Sequence, residues 1–258
     1  MQTVPDLPTV LITGAAKRIG AAIARRFAQS GWHVLLHYNH SEAEAQELAD
    51  SLPSAQLVQC DLADGNAASQ IIDRLAKTVP DWRAMVLNAS LFEEDHVTAL
   101  DPATNDRAMQ VNMLTPVLMA QRYFASAQSQ AGRCAIQLTD QKLANPNPDF
   151  FSYSMSKFAV DAAAEMMAMA SDPQDRIYRL APGAILPSHD QSDEDAEISH
   201  RMNLLGRRTD ANEVADAALF LANGFLASGQ QIFVDSGQHL LSQPRDVIYL
   251  ARQGEGQS

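Results

Sequence analysis

The sequence predicts a single doubly wound α/β domain built on a seven-stranded parallel sheet, and three observations predict it. Short apolar runs alternate with segments of helical composition along the whole chain, the pattern of a parallel sheet covered on both faces. The length of 258 residues suits one large α/β domain with a full core. No internal repeat, low-complexity tract or linker divides it, so residues 1–258 read as one domain.

The elements follow in order. Thr9–Thr13 is a first apolar strand; a Gly-bearing turn leads to a helix from Ala21 to Gln29, stopped by Ser30-Gly31. Trp32–His37 is the second strand, and Glu42–Leu52 is helical up to Pro53. A third strand, Ala55–Cys60, ends at Asp61, and a helix from about Asp64 to Thr78 stops before Pro80. Strand Ala84–Leu87 runs into Asn88-Ala-Ser90, and a longer helix lies between about Asp106 and Gln128. Arg133–Thr139 is the fifth strand; Ser152–Ala170, rich in Ala and Met and free of Gly and Pro, is a helix. Strand Arg176–Leu180 meets Pro182-Gly183. The acidic run Asp190–Glu197 reads as a solvated helix start. Asp210 and Glu213 are placed as a capping pair for helix Ala211–Ala222, and strand Gln231–Asp235 closes the domain.

Composition excludes several functions. A net charge of −12 and a pI of about 4.9 argue against nucleic acid or an anionic membrane as partner. The seven histidines show no metal-ligand spacing. Cys60 and Cys134 fall in predicted strands and read as buried free thiols of a reducing compartment. The first eight residues have no basic start or apolar run of a secretion signal, and no uncharged run reaches membrane-spanning length. A cytoplasmic protein is expected.

The chemistry centres on residues 140–157. Asp140 stands where the fifth strand ends, and Tyr153 and Lys157, at i and i+4, share a helix face. A phenol is a poor acid at neutral pH. An ammonium about 4 Å away contributes roughly 4 kcal/mol at an effective dielectric near 20, so the pair can make a proton donor that works near pH 7. Alone, such a pair also fits a surface contact.

The turn Thr13-Gly-Ala-Ala-Lys-Arg-Ile-Gly20 joins strand to helix. Its glycines let backbone approach a pyrophosphate, whose charge the helix N-terminus favours, although Arg18 stands where a middle glycine is expected. The second strand runs out through His37-Tyr38-Asn39-His40-Ser41, without the acid that selects NAD, while Lys17 and Arg18 lie in the preceding turn. That arrangement suits the 2′-phosphate of NADPH.

Thr-Gly-x-x-x-Arg-Ile-Gly20, Asn88-Ala-Ser90, Asn112, Tyr153-x-x-x-Lys157 and Pro182-Gly183, in this order, make the chain resemble the short-chain dehydrogenase/reductases over nearly its whole length. The resemblance implies a Rossmann-type NADP-binding domain with a substrate lid at about 184–206. It implies cofactor contacts from Gly14, Lys17, Arg18, Ile19, Gly20, His37, Tyr38, Asn39, His40, Ser41, Asp61, Leu62, Asn88, Ala89, Ser90, Tyr153, Lys157, Pro182, Gly183 and Ile185. By the same resemblance Tyr153 is the acid and Lys157 binds the nicotinamide ribose and lowers the tyrosine pKa. Asn112 holds a water in a proton relay. Pairing through helix 159–170 implies a homotetramer, or at least a dimer.

One departure narrows the branch. Ordinary members carry a serine thirteen residues before the tyrosine; here that residue is Asp140. With Ala15-Ala-Lys-Arg-Ile-Gly20, His37-Tyr-Asn-His-Ser41 and Asn88-Ala-Ser-Leu-Phe92, the chain resembles the pteridine reductases, including bacterial dihydromonapterin reductases. That branch implies Arg18, Ser90, Phe92, Asp140 and Tyr153 as substrate contacts, Phe92 stacking on the pterin, and Asp140, Tyr153, Lys157 and Asn112 as the catalytic set. Trypanosomatid relatives have an arginine where His40 stands, and Val234-Asp-Ser236 replaces the common Val-Asp-Gly. A carboxylate beside the donor suits a C=N bond, whose nitrogen gains basicity on reduction, and opposes the oxyanion of a carbonyl reduction. The expected function is NADPH-dependent reduction of dihydropterins to tetrahydropterins. A carbonyl reductase of the same family is the alternative, and a non-catalytic NADP sensor, which would need only the cofactor turn, is a further one.

Overall fold

The computed structural model describes residues 5–187 and 191–254. The start of the first eight residues and the 188–190 part of the expected lid lie outside the described residues. Among the described residues, strands β1 (Thr9–Ile12), β2 (His33–Tyr38), β3 (Ala55–Gln59), β4 (Trp82–Leu87), β5 (Arg133–Leu138), β6 (Asp175–Pro182) and β7 (Gln231–Val234) form one sheet. Its order is β3-β2-β1-β4-β5-β6-β7 and every pairing is parallel. The direction of winding reverses between β1 and β4, and their C-terminal ends open the crevice where ligands of such sheets bind.

Helices α1 (Arg18–Gln29), α2 (Glu42–Ser51) and α8 (Ala211–Ala222) cover one face. Helices α3 (Gly65–Leu75), α5 (Thr115–Ser126) and α6 (Phe151–Ala170) cover the other. Alternation within the strands divides the core between the two faces. Val10, Ile12, Val34 and Leu36 meet Phe27 and Ala24 of α1 and Val214 and Ala218 of α8. Leu11, Leu35 and Met85 meet Ile72 and Tyr123 on the opposite face. None of the helices of the described residues is long and apolar enough to cross a membrane.

Most element boundaries fall within a few residues of expectation, and three regions differ. The helix expected from Asp106 starts earlier, as α4 (Pro102–Met109), capped by the Asp101 carboxylate on the Thr104 N–H. A π-helical turn, Gln110–Leu114, then joins it to α5. Pro116 explains the interruption, because it has no N–H to give to the Asn112 carbonyl four residues back. Second, α1 begins at Arg18, inside the turn read as a loop. Third, β7 does not close the domain: the chain continues into α9 (Val247–Gly254), which packs on α7 (Asp193–Ser199). Helix α7 begins in the acidic run read as a helix start, with Ser192 and Asp195 forming a capping box.

Gly20 sets how closely α1 approaches the first turn. A Cβ there would lie 2.2 Å from the Gly14 carbonyl oxygen. Gly20→Ala is therefore expected to destabilise the protein by about 1–3 kcal/mol through overpacking against backbone. Urea unfolding at unchanged m-value reads this directly; an unshifted midpoint would show that α1 can move away freely.

Candidate functional site

A cavity of about 380 Å³ opens at the C-terminal edge of the sheet, lined by Arg18, Phe92, Asp140, Tyr153, Gly183 and Ile185 among others. Asp140 stands two residues past the end of β5, and its Oδ1 accepts the Lys142 N–H at 2.7 Å, capping a short 3-10 turn. Tyr153 lies in the first turn of α6. The Asp95 carboxylate positions that turn by accepting the Ser152 N–H and hydroxyl. The Tyr153 hydroxyl donates to Asp140 Oδ2 at 2.5 Å. Lys157, one turn on, is buried; its Nζ donates to the Leu138 carbonyl at 3.0 Å and stands 5.7 Å from the Tyr153 ring centre.

The electrostatics correct one expectation. The ammonium was expected to lower the tyrosine pKa, yet the Tyr153 phenol is pushed well up, by burial first and by the Asp140 carboxylate it bonds. Burial also raises the Asp140 carboxyl, against the stabilising Tyr153 hydroxyl and Lys142 N–H. Burial lowers Lys157 to about 8, with Asp140 opposing. The hydrogen-bond partner of the phenol is the Asp140 carboxylate, so Asp140 and Tyr153 titrate as a coupled pair, with the Lys157 ammonium 5.7 Å from the ring centre.

Asn112 is buried, and its side chain is fully committed. Oδ1 accepts the Leu91 N–H at 2.7 Å, while Nδ2 donates to the Leu91 carbonyl and to Ser156 Oγ. Pro116 leaves the Asn112 main-chain carbonyl without its α-helical N–H donor. Phe92 lines the cavity with one face already on Phe150, centres 4.1 Å apart, and meets Tyr153 edge-on. Ser90 is exposed and does not line the cavity.

The first turn is braced from behind. Thr13 Oγ1 accepts the Asn88 and Ala89 N–H groups, and Asn88 Nδ2 donates to the Thr13 and Gly14 carbonyls. Gly14 has a φ of +62°, and a Cβ there would crowd Ala89 at 3.1 Å. His37, expected among the cofactor contacts, has its ring committed to this brace. It is buried; Nδ1 accepts the Gly14 N–H at 3.1 Å, so Nε2 carries the proton and donates to the Cys60 carbonyl. Burial lowers its pKa to about 4, and the ring is a neutral strut.

Lys17 and Arg18 diverge. Lys17 forms an exposed ion pair with Glu44 of α2 at 2.7 Å. Arg18, with φ +57°, occupies the left-handed conformation of the absent glycine, and its guanidinium donates to the Leu186 and Pro187 carbonyls. Ile19, Pro182, Gly183 and Ile185 line the cavity with it. Around the end of β2, Tyr38 is buried, His40 is exposed, Ser41 precedes α2, and Asn39 donates to the exposed Asp61. Leu62 is buried, with its carbonyl accepting the Thr115 hydroxyl. Ser236, the replacement in Val-Asp-Ser, takes a left-handed φ of 54° and bonds Thr209 Oγ1 at 2.7 Å.

Sequence reasoning missed the far wall. Lys142, Gln238, His200, Asp246, Val247 and Ile248 also line the cavity. Lys142 is buried, donating to Asp246 and to the Asp149 carbonyl, while Arg245 holds the buried Asp149 carboxylate. Val247, Ile248 and Ala251 are buried at helical spacing, a signal present in the tail but short. No cluster of potential metal ligands occurs among the described residues.

Comparison with known proteins agrees with this geometry. The family model described as enoyl-(acyl carrier protein) reductase, of the short-chain dehydrogenase/reductase type, matches residues 14–239. The solved FolM alternative dihydrofolate reductase 1 from Brucella canis, complexed with NADP, is 34% identical with a TM-score of 0.86, covering 93% of this chain and 96% of its own. Dihydromonapterin reductase of Escherichia coli O6:K15:H31 is 26% identical over 235 residues, 90% of this chain and 96% of that protein. The angucycline C-6 ketoreductase LanV, solved with bound NADP, is 25% identical with a TM-score of 0.82, covering 91% of this chain and 96% of its own. The chain belongs to the short-chain dehydrogenase/reductase family, and its relatives include the pteridine-reducing branch.

Proposed function

We propose that this protein is an NADPH-dependent oxidoreductase that reduces dihydropterins to tetrahydropterins. The 2.5 Å contact between Tyr153 and Asp140 in the cavity wall carries this reading. The residues fit the cofactor. The Lys17 N-cap of α1 brings no side-chain cap, which leaves the helix N-terminus open to a pyrophosphate. Gly183 has no room for a Cβ, which would lie 2.7 Å from Asp235 and Gln238. NADPH supplies the hydride when bound. Gly14, Ile19, Gly20, Asn88 and Ala89 are assigned to shaping its phosphate and nicotinamide contacts, Lys17 and His40 to its 2′-phosphate, and Lys157 to its ribose. Breaking the exposed Lys17–Glu44 pair costs little.

The chain's own part is the proton. If the Asp140–Tyr153 pair holds one proton, donating it leaves two anions 2.5 Å apart. If it holds two, donation leaves a carboxylate and a phenol, so the doubly protonated pair is the better donor to the substrate nitrogen. Burial, by raising the Asp140 carboxyl, favours that form. The reduced nitrogen then carries an N–H that the carboxylate can accept. A ketone instead needs donors on its oxygen throughout, which a serine supplies at any pH and this carboxyl only when protonated. Phe92 is assigned to the pterin ring through its face away from Phe150. Residues 184–187 and 191–206, with Arg18 bonded to the Leu186 and Pro187 carbonyls, are assigned as the described part of the lid. The exposed Met166 and Met169 of α6 suit a subunit contact in a homotetramer, and the unpaired buried Cys60 and Cys134 suit the cytoplasm.

Asp140→Ser is expected to cut dihydropterin turnover by about 10²–10⁴ and to raise reduction of a simple ketone. Steady-state assays of NADPH loss with both substrates test this; a parent that prefers the ketone returns the protein to the carbonyl reductases. Turnover in the parent is expected to fall as pH rises through the raised Asp140 pKa. That inflection should vanish in Asp140→Ser, while the Lys157 inflection, near 8 in the parent, moves lower because Asp140 no longer opposes burial. A parent rate that climbs from acid to neutral pH would exclude the doubly protonated donor. Lys17→Ala should weaken NADPH binding about 10-fold and leave NADH unchanged. His37→Ala should weaken both alike, because it acts through the turn; fluorescence titration separates the two.

A further inference from the structure

Most polar side chains in the cavity wall are already committed within the protein. Arg18 bonds two carbonyls, Lys142 pairs with Asp246, Asp140 holds Tyr153, and Gln238 Oε1 accepts the Ala184 N–H. His200 differs. It caps the C-terminus of α7, is 3% exposed, lines the cavity, and its Nδ1 has no hydrogen-bond partner among the described residues. Buried polar atoms are nearly always paired in native proteins, and one unpaired beside a cavity points to a ligand that completes it.

The chemistry of that ligand group follows from the surroundings. Burial lowers the His200 pKa to about 4; Arg208 and Arg18 push the same way and Glu197 opposes. The ring is therefore neutral near pH 7, with one nitrogen a donor and the other an acceptor. The cavity wall carries the uncharged polar side chains Gln191, Ser199, Gln238 and Gln243 beside the charged Arg18, Asp140, Lys142 and Asp246, which are engaged within the protein. Such a wall suits hydroxyl groups, which both donate and accept.

We propose that His200 is a specificity-determining residue that hydrogen-bonds a hydroxyl on the side chain carried by the dihydropterin ring. The inference rests on the pterin reading above and adds to it a residue from α7. It separates two substrates with the same reacting bond: a pterin with a hydroxylated side chain gains the contact, and one with a bare alkyl group leaves Nδ1 unpaired.

The test compares 7,8-dihydrobiopterin with 6-methyl-7,8-dihydropterin in the parent, His200→Phe and His200→Asn. The Phe variant keeps a ring without nitrogen; His200→Ala replaces it should Phe not fold. Phe is expected to lower kcat/KM for the hydroxylated pterin about 10- to 100-fold, mainly through KM, with the methyl pterin and NADPH affinity nearly unchanged. Asn, whose amide donates and accepts, should recover most of the loss. Equal loss on both pterins, or none on either, overturns the role of His200 and leaves the pterin reading standing. A parent that reduces neither pterin overturns the pterin reading and this proposal with it.

Discussion

A half-buried carboxylate just past the end of β5 is the constraint on which the site depends. Asp140 sits where desolvation penalises its charge, so its surroundings have to compensate. The Tyr153 hydroxyl and the Lys142 N–H do so directly, one on each oxygen. The second donor fixes the 3-10 turn, and that turn carries the buried Lys142 side chain, which needs an anion of its own. Asp246 and the Asp149 carbonyl meet that need, and Arg245 in turn meets the Asp149 carboxylate. The tail is thereby held to the cavity loop, and α9 becomes a wall of the site. A single acid in place of a serine thus bears on both the proton chemistry and the enclosure.

The fold was legible because it rests on periodic signals. Apolar strands such as Val10–Ile12 and Val34–Leu36 are buried on both faces, and the Gly and Pro breaks fall between elements. The Asp140–Tyr153–Lys157 constellation was equally legible, since strand end and helix register alone bring the three together. Individual roles were less so. His37 stands at the expected strand end, but its ring turns inward to Gly14 and Cys60, a choice made by hydrogen bonds that no local pattern encodes. Lys157 lies one helical turn from Tyr153 as foreseen, yet the tyrosine shift is set first by burial and then by the Asp140 carboxylate, neither of which the i,i+4 spacing encodes. Pro116 did carry a readable signal, placed four residues after Asn112, for the π turn at Gln110–Leu114. The pairing of Lys142 with Asp246, across more than a hundred residues, left no such trace.

Departures from local rules gather around the cavity. Three non-glycine residues among those described have left-handed φ: Arg18, Phe150 and Ser236. Each is held by a tertiary contact: Arg18 by the 186–187 carbonyls, Phe150 by the Phe92 stack, Ser236 by Thr209. Backbone strain of about 1–3 kcal/mol per site persists only where surroundings over-determine it. His200 Nδ1, unpaired, and Lys157, buried and lowered toward neutrality, belong to the same pattern. Of these, Arg18 and His200 line the cavity and Phe150 stacks on Phe92, which does, so part of the irregularity borders the site.

Charge poses the remaining problem: a chain of net −12 has to hold a cofactor with several phosphate charges. Screening resolves it. At physiological ionic strength the Debye length is about 8 Å, so distant surface carboxylates contribute little at the crevice. What counts is the local field at the β1 turn, which carries an uncapped helix N-terminus and the cations Lys17 and Arg18. Even there two cations are engaged, Lys17 with Glu44 and Arg18 with the lid carbonyls, so an arriving anion exchanges contacts rather than filling a bare site. Exchange lowers the net gain per contact and gives discrimination: a ligand lacking the phosphate that Lys17 would meet has nothing to offer for leaving Glu44. The acidic surface and the selective turn are compatible because they act over different distances.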